Sequence, residues 1–231
     1  MREEYSTLIT ATGISKSYGG KKVLSGVDFS ASPGESAVIV GRNGSGKSTL
    51  LSILAGYLKP DAGTVTIQGA NAAFCPQSDN LFEDLTVRDN ILFWRRAKGS
   101  HSNPNSPDLI KLFDVGKYEG KRVRQLSGGM KKSVAIICAL TNDSSVLILD
   151  EPFSGLDIFY KNSVLLALDR LKSMGKCVVY TSHNSDEITG LDSQIYTLSQ
   201  GKLSCLGSRD SVVRSAPGGS LLEAILNNIQ D

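Results

Sequence analysis

The sequence predicts an α/β fold in which a doubly wound core is interrupted by a mostly helical insertion. The core is indicated by short apolar runs that alternate with helical patterns from Ser145 onward. The predicted strands are residues 145–149, 176–181 and 194–199, and the predicted helices are residues 161–174 and 186–190. The insertion is indicated by two further helical patterns, at residues 85–97 and 127–140.

The first part of the chain has the pattern of an antiparallel β subdomain. Residues 7–40 contain alternating and short apolar runs that are broken by glycines, which predicts hairpins. They end in the apolar run 36–40, which predicts a buried strand, and a further strand is predicted at 64–67 after a turn.

These patterns divide the chain into three parts. Residues 1–77 and 145–207 are predicted to form the α/β core with its β subdomain, and residues 78–144 the helical subdomain. Residues 208–231 are predicted to form a helical tail. Within the insertion, Thr86 and Asp108 are the expected N-caps of two helices, because both have side-chain oxygens that can accept from the first turn.

Residues 41–49, with the sequence GRNGSGKST, match the phosphate-binding loop pattern G-x-x-x-x-G-K-[ST]. The glycines allow the backbone N–H groups to converge at a helix N-terminus, which favours an anion. In this pattern Lys47 reaches the β- and γ-phosphates and the Ser48 hydroxyl binds Mg²⁺. The candidate nucleotide-binding residues are Gly41, Arg42, Asn43, Gly44, Ser45, Gly46, Lys47, Ser48 and Thr49. The loop alone leaves nucleotide kinases, GTPases and motor ATPases open.

The predicted strand that contains residues 146–149 ends in two acids, Asp150 and Glu151. In phosphate-loop ATPases an aspartate at this point holds Mg²⁺, and a neighbouring glutamate can activate the attacking water. Two solvated acids at a strand end are the alternative interpretation. The presence of the glycine loop favours the catalytic one.

Composition excludes several classes of protein. The formal net charge is +2, with 40% hydrophobic and 21% charged residues, which is ordinary for a globular chain and gives no indication of a nucleic-acid partner. There is no secretory signal and no apolar run of about 18 residues, so any membrane role is expected to need a partner subunit. The four cysteines have no C-x-x-C spacing, which argues against zinc and favours a reducing, cytosolic compartment.

The segment Leu126–Met130, with the sequence LSGGM, is a candidate second anion site, since a serine and two glycines precede a predicted helix. A helix C-cap followed by a turn is the alternative interpretation, and the combination with the other motifs favours the anion site. With this segment the chain resembles the ATP-binding cassette (ABC) ATPase family over residues 7–207. The resemblance implies a P-loop NTPase (RecA-like) core, and with it ATP and Mg²⁺ as cofactors. The other matching motifs are Gln77, Asp150–Glu151, the D-loop at residues 154–157, and His183.

The resemblance implies a role for each matching residue. Tyr18 would stack on adenine, and Gln77 would give its carbonyl to Mg²⁺ and its amide to the attacking water. Glu151 would act as the general base and His183 would hydrogen-bond the γ-phosphate, so the expected catalytic residues are Lys47, Gln77, Glu151 and His183. The expected metal ligands are Ser48, Gln77 and Asp150.

The resemblance also implies a head-to-tail dimer with a second ATP-binding subunit, either identical or different. Each ATP would then lie between the phosphate loop of one subunit and Ser127, Gly128 and Gly129 of the other. Asp157 is expected at this interface. Two residues depart from the family pattern: Met130 replaces the usual glutamine, and Phe153 replaces a small residue.

The surroundings of residues 79–96 resemble the family segment that receives a transmembrane permease subunit. Leu81, Phe82 and Trp94 are apolar side chains in this polar stretch, although core packing of the insertion is an alternative. Residues 95, 96 and 98, all basic, are expected to form a solvated face. The resemblance is greatest to the single cassettes of export-type transporters, peripheral on the cytoplasmic face of a membrane. A soluble ABC ATPase, for example of the iron–sulfur assembly type, is the alternative.

Overall fold

The computed structural model describes residues 7–69, 72–99, 106–142, 144–215 and 221–227. Within these ranges the strands are β1 Ile9–Tyr18, β2 Lys21–Ala31, β3 Ser36–Val40, β4 Ala62–Ile67, β5 Ala73–Cys75, β6 Val146–Leu149, β7 Cys177–Thr181, β8 Gln194–Ser199 and β9 Lys202–Ser208. The α-helices are α1 Lys47–Leu54, α2 Val87–Ala97, α3 Ser106–Leu112, α4 Gly128–Ala139, α5 Ile158–Ser173, α6 Ser185–Thr189, α7 Arg209–Ser215 and α8 Leu221–Asn227.

The strands form two sheets. The smaller sheet is antiparallel, in the order β2-β1-β4, and is the predicted β subdomain. The larger sheet has the order β5-β6-β7-β3-β8-β9 and is parallel except for β9, which runs antiparallel to β8. Every residue of β3, β6 and β7 is buried, which explains why these strands are continuous apolar runs in the sequence.

The larger sheet separates two apolar cores. Alternate residues of β3, such as Val38 and Ile39, enter different cores because successive side chains of a strand point to opposite faces. One core contains the buried faces of α4 and α5, and the other contains those of α1, β1 and β2. Because β6, β7 and β3 are adjacent and parallel, their carboxyl ends lie side by side at one end of the sheet. Ligands of α/β proteins bind at this end.

The helical insertion differs from its predicted form at two residues and agrees with it at a third. The N-cap of α2 is Thr86, as expected, and its Oγ1 accepts from the Asp89 N–H. The prediction for Asp108 is wrong, because α3 already begins at Ser106 and Asp108 lies in its first turn. Lys98 is not on a solvated face either. Its Nζ donates to the carbonyls of Cys138 and Ala139 at 3.1 and 2.6 Å, at the negative end of α4.

Two strands were not predicted. The β5 strand has only three residues and is held by pairing with β6, so no local pattern identifies it. The β9 strand has a mixed, half-exposed composition and forms by pairing with β8. The division of the chain at residues 78 and 144 stays a prediction. The helices α2, α3 and α4 all lie between those two positions.

Candidate functional site

A cavity of about 490 Å³ lies at the carboxyl ends of the central strands. It brings together predicted site residues from five separate segments of the chain. The lining residues are Tyr18, Val23, Asn43, Gly44, Gly46, Lys47, Ser48, Thr49, Gln77, Glu151 and His183. Val23 was not predicted, and no pattern in the sequence distinguishes it from an ordinary strand residue.

The glycine loop connects β3 to α1 in a conformation that requires its glycines. Gly44 and Gly46 have φ values of 81° and 103°, which side chains other than glycine rarely adopt. A Cβ on Gly46 would lie 2.9 Å from Val23 Cγ1, and a Cβ on Gly41 would lie 2.5 Å from the Leu198 carbonyl oxygen. The loop is therefore fixed both by its backbone torsions and by the β subdomain packed against it.

Lys47 is the first residue of α1, and its side chain turns back over the loop. Its Nζ donates to the carbonyl oxygens of Gly41 at 2.8 Å and Arg42 at 3.2 Å. Burial lowers the pKa of Lys47, and the nearby carboxylates of Glu151 and Asp150 partly offset this by favouring the charged form. A cation with little exposure to water is thus held where the loop amides converge.

Asp150 and Glu151 follow β6 directly, and one buried hydroxyl joins them. Thr181 Oγ1, at the end of β7, donates to Asp150 Oδ1 at 2.8 Å and accepts from the Glu151 N–H at 2.8 Å. Glu151 has a φ of 47°, in the left-handed region that non-glycine residues seldom occupy. Thr181 was not among the predicted site residues. Its position at the end of a strand, two residues before His183, is the signal that could have identified it.

The Glu151 carboxylate is contacted by two of the other predicted catalytic side chains. Gln77 Nε2 donates to Glu151 Oε2 at 3.0 Å, and His183 Nδ1 lies 3.6 Å from Glu151 Oε1. His183 is well exposed, whereas Glu151 is mostly covered. Three side chains from three different loops therefore meet in the lining of the cavity.

The oxygen atoms at the site suit Mg²⁺. The described residues contain no cluster of three or more His, Cys, Asp or Glu side chains that would form a closed metal site. Mg²⁺ does not need one, because it keeps waters and nucleotide phosphates and takes only one or two protein oxygens. Ser48 offers an exposed hydroxyl, Asp150 a carboxylate, and Gln77 an amide oxygen, since its nitrogen is bound to Glu151.

The segment Ser127–Gly129 forms the N-terminus of α4. Ser127 is the N-cap, and its Oγ accepts from the Met130 N–H at 3.4 Å. Of the predicted nucleotide-binding residues, Ser127, Gly128 and Gly129 do not line the cavity, and neither do Gly41, Arg42 and Ser45 on the rear of the loop. Asp150 is also absent from the lining residues. The two predicted anion sites of the chain are therefore separate.

Gly129 is required by close packing against α5. A Cβ at this position would lie 2.2 Å from Tyr160 Cγ and 2.5 Å from Cδ1. Asp157 begins α5 as its N-cap and accepts from the N–H groups of Phe159 and Tyr160, both at 3.0 Å. The D-loop, which precedes α5, and the start of α4 thus form one packed unit. The expected interface role of Asp157 stays a prediction beside this structural one.

An ion pair connects α4 to the segment that carries Gln77. Lys132 Nζ lies 2.6 Å from Asp79 Oδ1 and donates to the Gln77 carbonyl oxygen at 3.2 Å. The Lys132 side chain is 5% exposed and that of Asp79 is 23% exposed, so water screens the pair only in part. The contact was not predicted, because a lysine three residues after a glycine pair looks like an ordinary surface position.

The segment 79–96 presents aromatic side chains at the surface. Phe82 and Phe93 are each 43% exposed, and their rings meet edge to face with centroids 4.6 Å apart. Trp94 is partly buried and its Nε1 donates to the Asn80 carbonyl oxygen at 2.9 Å. Leu81 is also partly buried against the core. Core packing therefore accounts for Leu81 and Trp94, and the docking role of the segment stays a prediction. Across the described ranges, no helix combines the length and apolar character that crossing a membrane requires.

Fold and cavity together define a nucleotide-binding ATPase of the phosphate-loop class. The family model described as "ABC transporter" matches residues 24–154. The chain is 32% identical to the Nod factor export ATP-binding protein I of Rhizobium etli, over 95% of this chain and 74% of that protein. It is 34% identical to the protein of the same name from Paraburkholderia xenovorans, over 91% and 74%. It is 28% identical to the linearmycin resistance ATP-binding protein LnrL of Bacillus subtilis, over 97% and 76%.

Solved structures agree with this assignment. A nucleotide-free ATP-binding cassette from an ABC transporter superposes with a TM-score of 0.82 at 21% identity, over 97% of this chain and 100% of that one. The ATP-binding subunit of another ABC transporter gives 0.81 at 25% identity, over 96% and 99%. The chain belongs to the ABC transporter family. It is an ATP-binding, ATP-hydrolysing subunit with the P-loop NTPase fold, as its sequence predicts.

Proposed function

We propose that this subunit hydrolyses Mg²⁺-bound ATP at sites shared between two subunits, and that this cycle drives export through a membrane permease. The observation that carries the proposal is the position of the Glu151 carboxylate, between Gln77 at 3.0 Å and His183 at 3.6 Å, at the cavity lined by the glycine loop.

The nucleotide would be bound by residues from three parts of the cavity. Tyr18 is 50% exposed at its edge and offers a ring face to adenine. The loop, residues 41–49, would hold the phosphates with its backbone N–H groups, and Lys47 would exchange its bonds to loop carbonyls for the β- and γ-phosphates. Because Lys47 is buried, its attraction to phosphate would be screened little by water.

Mg²⁺ would be held by Ser48, Asp150 and Gln77 together with the phosphates, and would neutralise charge that develops on them. With one oxygen of Asp150 occupied by Thr181, the second remains for the metal or its waters. Gln77 contributes its amide oxygen, and its nitrogen stays with Glu151. In this arrangement the free oxygens of Asp150 and Gln77 would bind the metal, while the Gln77 nitrogen would help to orient the attacking water through Glu151.

Glu151 would remove the proton from the attacking water, with Gln77 and His183 fixing the position of both. Replacing Glu151 with glutamine keeps its shape and hydrogen bonds but removes the base. We expect the hydrolysis rate to fall by about 10²–10⁴-fold with ATP binding retained, as for other general bases. A Glu151→Gln variant that turns over at the wild-type rate would overturn the assignment.

The second half of each site would come from Ser127, Gly128 and Gly129 of a partner cassette, since these residues lie outside the chain's own cavity. ATP would then join two subunits, and its hydrolysis would release them. Mixing Lys47→Ala with Ser127→Arg subunits tests this. Each variant alone would be inactive, but a mixed homodimer has one intact site, so about a quarter of the activity should return. A mixture that stays inactive would contradict shared sites in a homodimer of this chain.

The permease is proposed to dock near residues 79–96, where Phe82 and Phe93 are exposed beside Trp94. Bound to such a permease, the subunit would be a peripheral protein on the cytoplasmic face of the membrane. Export is proposed as the direction because two of the relatives are named for export and resistance. Affinity purification from detergent-solubilised membranes should recover a multi-span protein, and a Phe82→Ser/Phe93→Ser variant should lose it. Recovery of soluble partners alone would refute the transport role.

A further inference from the structure

Thr181 occupies the junction between the two loops that carry the catalytic residues. It is the last residue of β7 and is fully buried. The strands β6 and β7 are paired in parallel with Leu149 opposite Tyr180, so Asp150 and Thr181 are the next residues on each side. The Thr181 hydroxyl therefore lies beside the first two residues after β6, and His183 follows it by two positions.

Each of the two hydrogen bonds of Thr181 fixes a different group. Donation to Asp150 Oδ1 at 2.8 Å restricts rotation of this buried carboxylate and directs its other oxygen away from Thr181. Acceptance from the Glu151 N–H at 2.8 Å satisfies a donor in a residue with a φ of 47°. A left-handed conformation at a non-glycine residue persists only where its surroundings enforce it. The hydroxyl is one such constraint.

We propose that Thr181 is a positioning residue for hydrolysis, which sets the metal-binding carboxylate of Asp150 and the base Glu151 relative to His183. This inference rests on the roles proposed above for Asp150 and Glu151. In this proposal Thr181 acts through its hydrogen bonds to Asp150 and Glu151 and does not itself bind the nucleotide or the attacking water. Its effect passes through two residues whose orientation decides where Mg²⁺ and the attacking water lie, and small displacements of such groups cost much of the rate.

Thr181→Val removes the hydroxyl and keeps the shape, whereas Thr181→Ser keeps the hydroxyl. For Thr181→Val we expect kcat to fall by about 10–100-fold, because Asp150 and Glu151 lose a shared constraint. The KM for ATP should rise by no more than the factor by which the Mg²⁺ enhancement of binding falls, because the phosphate loop is unchanged. Thr181→Ser should restore most of kcat. A second readout is nucleotide binding by a fluorescent ATP analogue. Without Mg²⁺, the wild type and Thr181→Val should bind the analogue with equal affinity. Adding Mg²⁺ should strengthen binding to the wild type more than binding to Thr181→Val.

Thr141→Val is the matched control. Thr141 is equally buried and donates to the Cys138 carbonyl oxygen at 2.9 Å, just after α4, and it does not line the cavity. It should lower the melting temperature without changing kcat. If Thr181→Val behaves like this control, with lower stability but wild-type kcat and wild-type Mg²⁺ enhancement, the inference is wrong. If Thr181→Val fails to fold, Thr181→Ala should show the same loss of kcat and of Mg²⁺ enhancement, and full activity there would also overturn the inference. Glu151→Gln measured in parallel separates the two proposals, since wild-type activity in that variant contradicts the base and not Thr181.

Discussion

Replacing Lys132 with methionine removes the charge that joins α4 to the segment carrying Gln77. Methionine fills a similar volume, so the change tests the charge and not the packing. The variant leaves Asp79 partly buried without its cation and the Gln77 carbonyl without its donor. We expect both the stability of the fold and the position of Gln77 to depend on this contact.

The magnitude follows from burial. Removing one partner of a fully buried ion pair costs about 3–5 kcal/mol, and the 23% exposure of Asp79 reduces this. We therefore expect Lys132→Met to lower the free energy of unfolding by about 2–4 kcal/mol. Urea denaturation measures it. With a slope of about 2 kcal/mol per molar urea, the midpoint should fall by about 1–2 M.

The neighbouring lysine provides the control. Lys131 Nζ lies 2.7 Å from Glu83 Oε1, almost the same distance, but the Glu83 side chain is 64% exposed. Exposed ion pairs contribute little, so Lys131→Met should leave the midpoint nearly unchanged. In a double-mutant cycle, Asp79→Asn should cost much less in the Lys132→Met background than in the wild type. Equal midpoints for the two lysine variants, or simple additivity in the cycle, would refute the reasoning.

Three further predictions concern other parts of the chain. Gly129→Ala should abolish turnover, because the added Cβ would lie 2.2 Å from the Tyr160 ring, while nucleotide binding by the isolated subunit persists. Adding Tyr160→Ala to this variant should restore part of the rate. A double variant as inactive as Gly129→Ala would contradict the packing argument. Cys205 is exposed, whereas burial raises the pKa of the other three cysteines to about 12, so a thiol reagent should label one cysteine in the native protein and none in Cys205→Ser. Hydrogen bonds from the side chain of Lys16 and a backbone amide hold the pKa of Asp61 below its usual 3.8. This pair therefore stabilises the fold above that pH and loses its effect as the pH falls through the lower native pKa, so Asp61→Asn should weaken the acid dependence of stability; an unchanged acid limb would contradict it.

The parts of the fold that sequence predicted are those with strong local patterns. The buried strands β3, β6 and β7 are continuous apolar runs. The glycine loop has a fixed spacing of glycines, because Gly44 and Gly46 adopt positive φ values that other residues rarely take. Thr86 could be identified as an N-cap because its partner lies three residues away. In each case the information is contained within a short stretch of chain.

The parts that were missed depend on contacts between distant residues. Thr181 meets Asp150 across 31 positions, and Lys132 meets the Gln77 carbonyl across 55. Lys98 was expected to be solvated, but its Nζ donates to carbonyl oxygens of α4 that lie 40 and 41 positions further along the chain. These carbonyls are free to accept because they are at the end of the helix, and only the fold brings Lys98 to them. Most residues that line the cavity could thus be named from local motifs, whereas the residues that hold them in place could not.

The central claim is that each ATP site is completed by a second subunit, and Ser127→Arg tests it most directly. Ser127 lies at the N-terminus of α4, outside the cavity that contains the glycine loop. An arginine there should block the partner's nucleotide without touching the subunit's own loop. We predict that the isolated variant subunit binds ATP with wild-type affinity, measured by equilibrium titration, while turnover of the assembled protein is lost. Loss of ATP binding in the isolated subunit, or wild-type turnover in the assembly, would contradict the account.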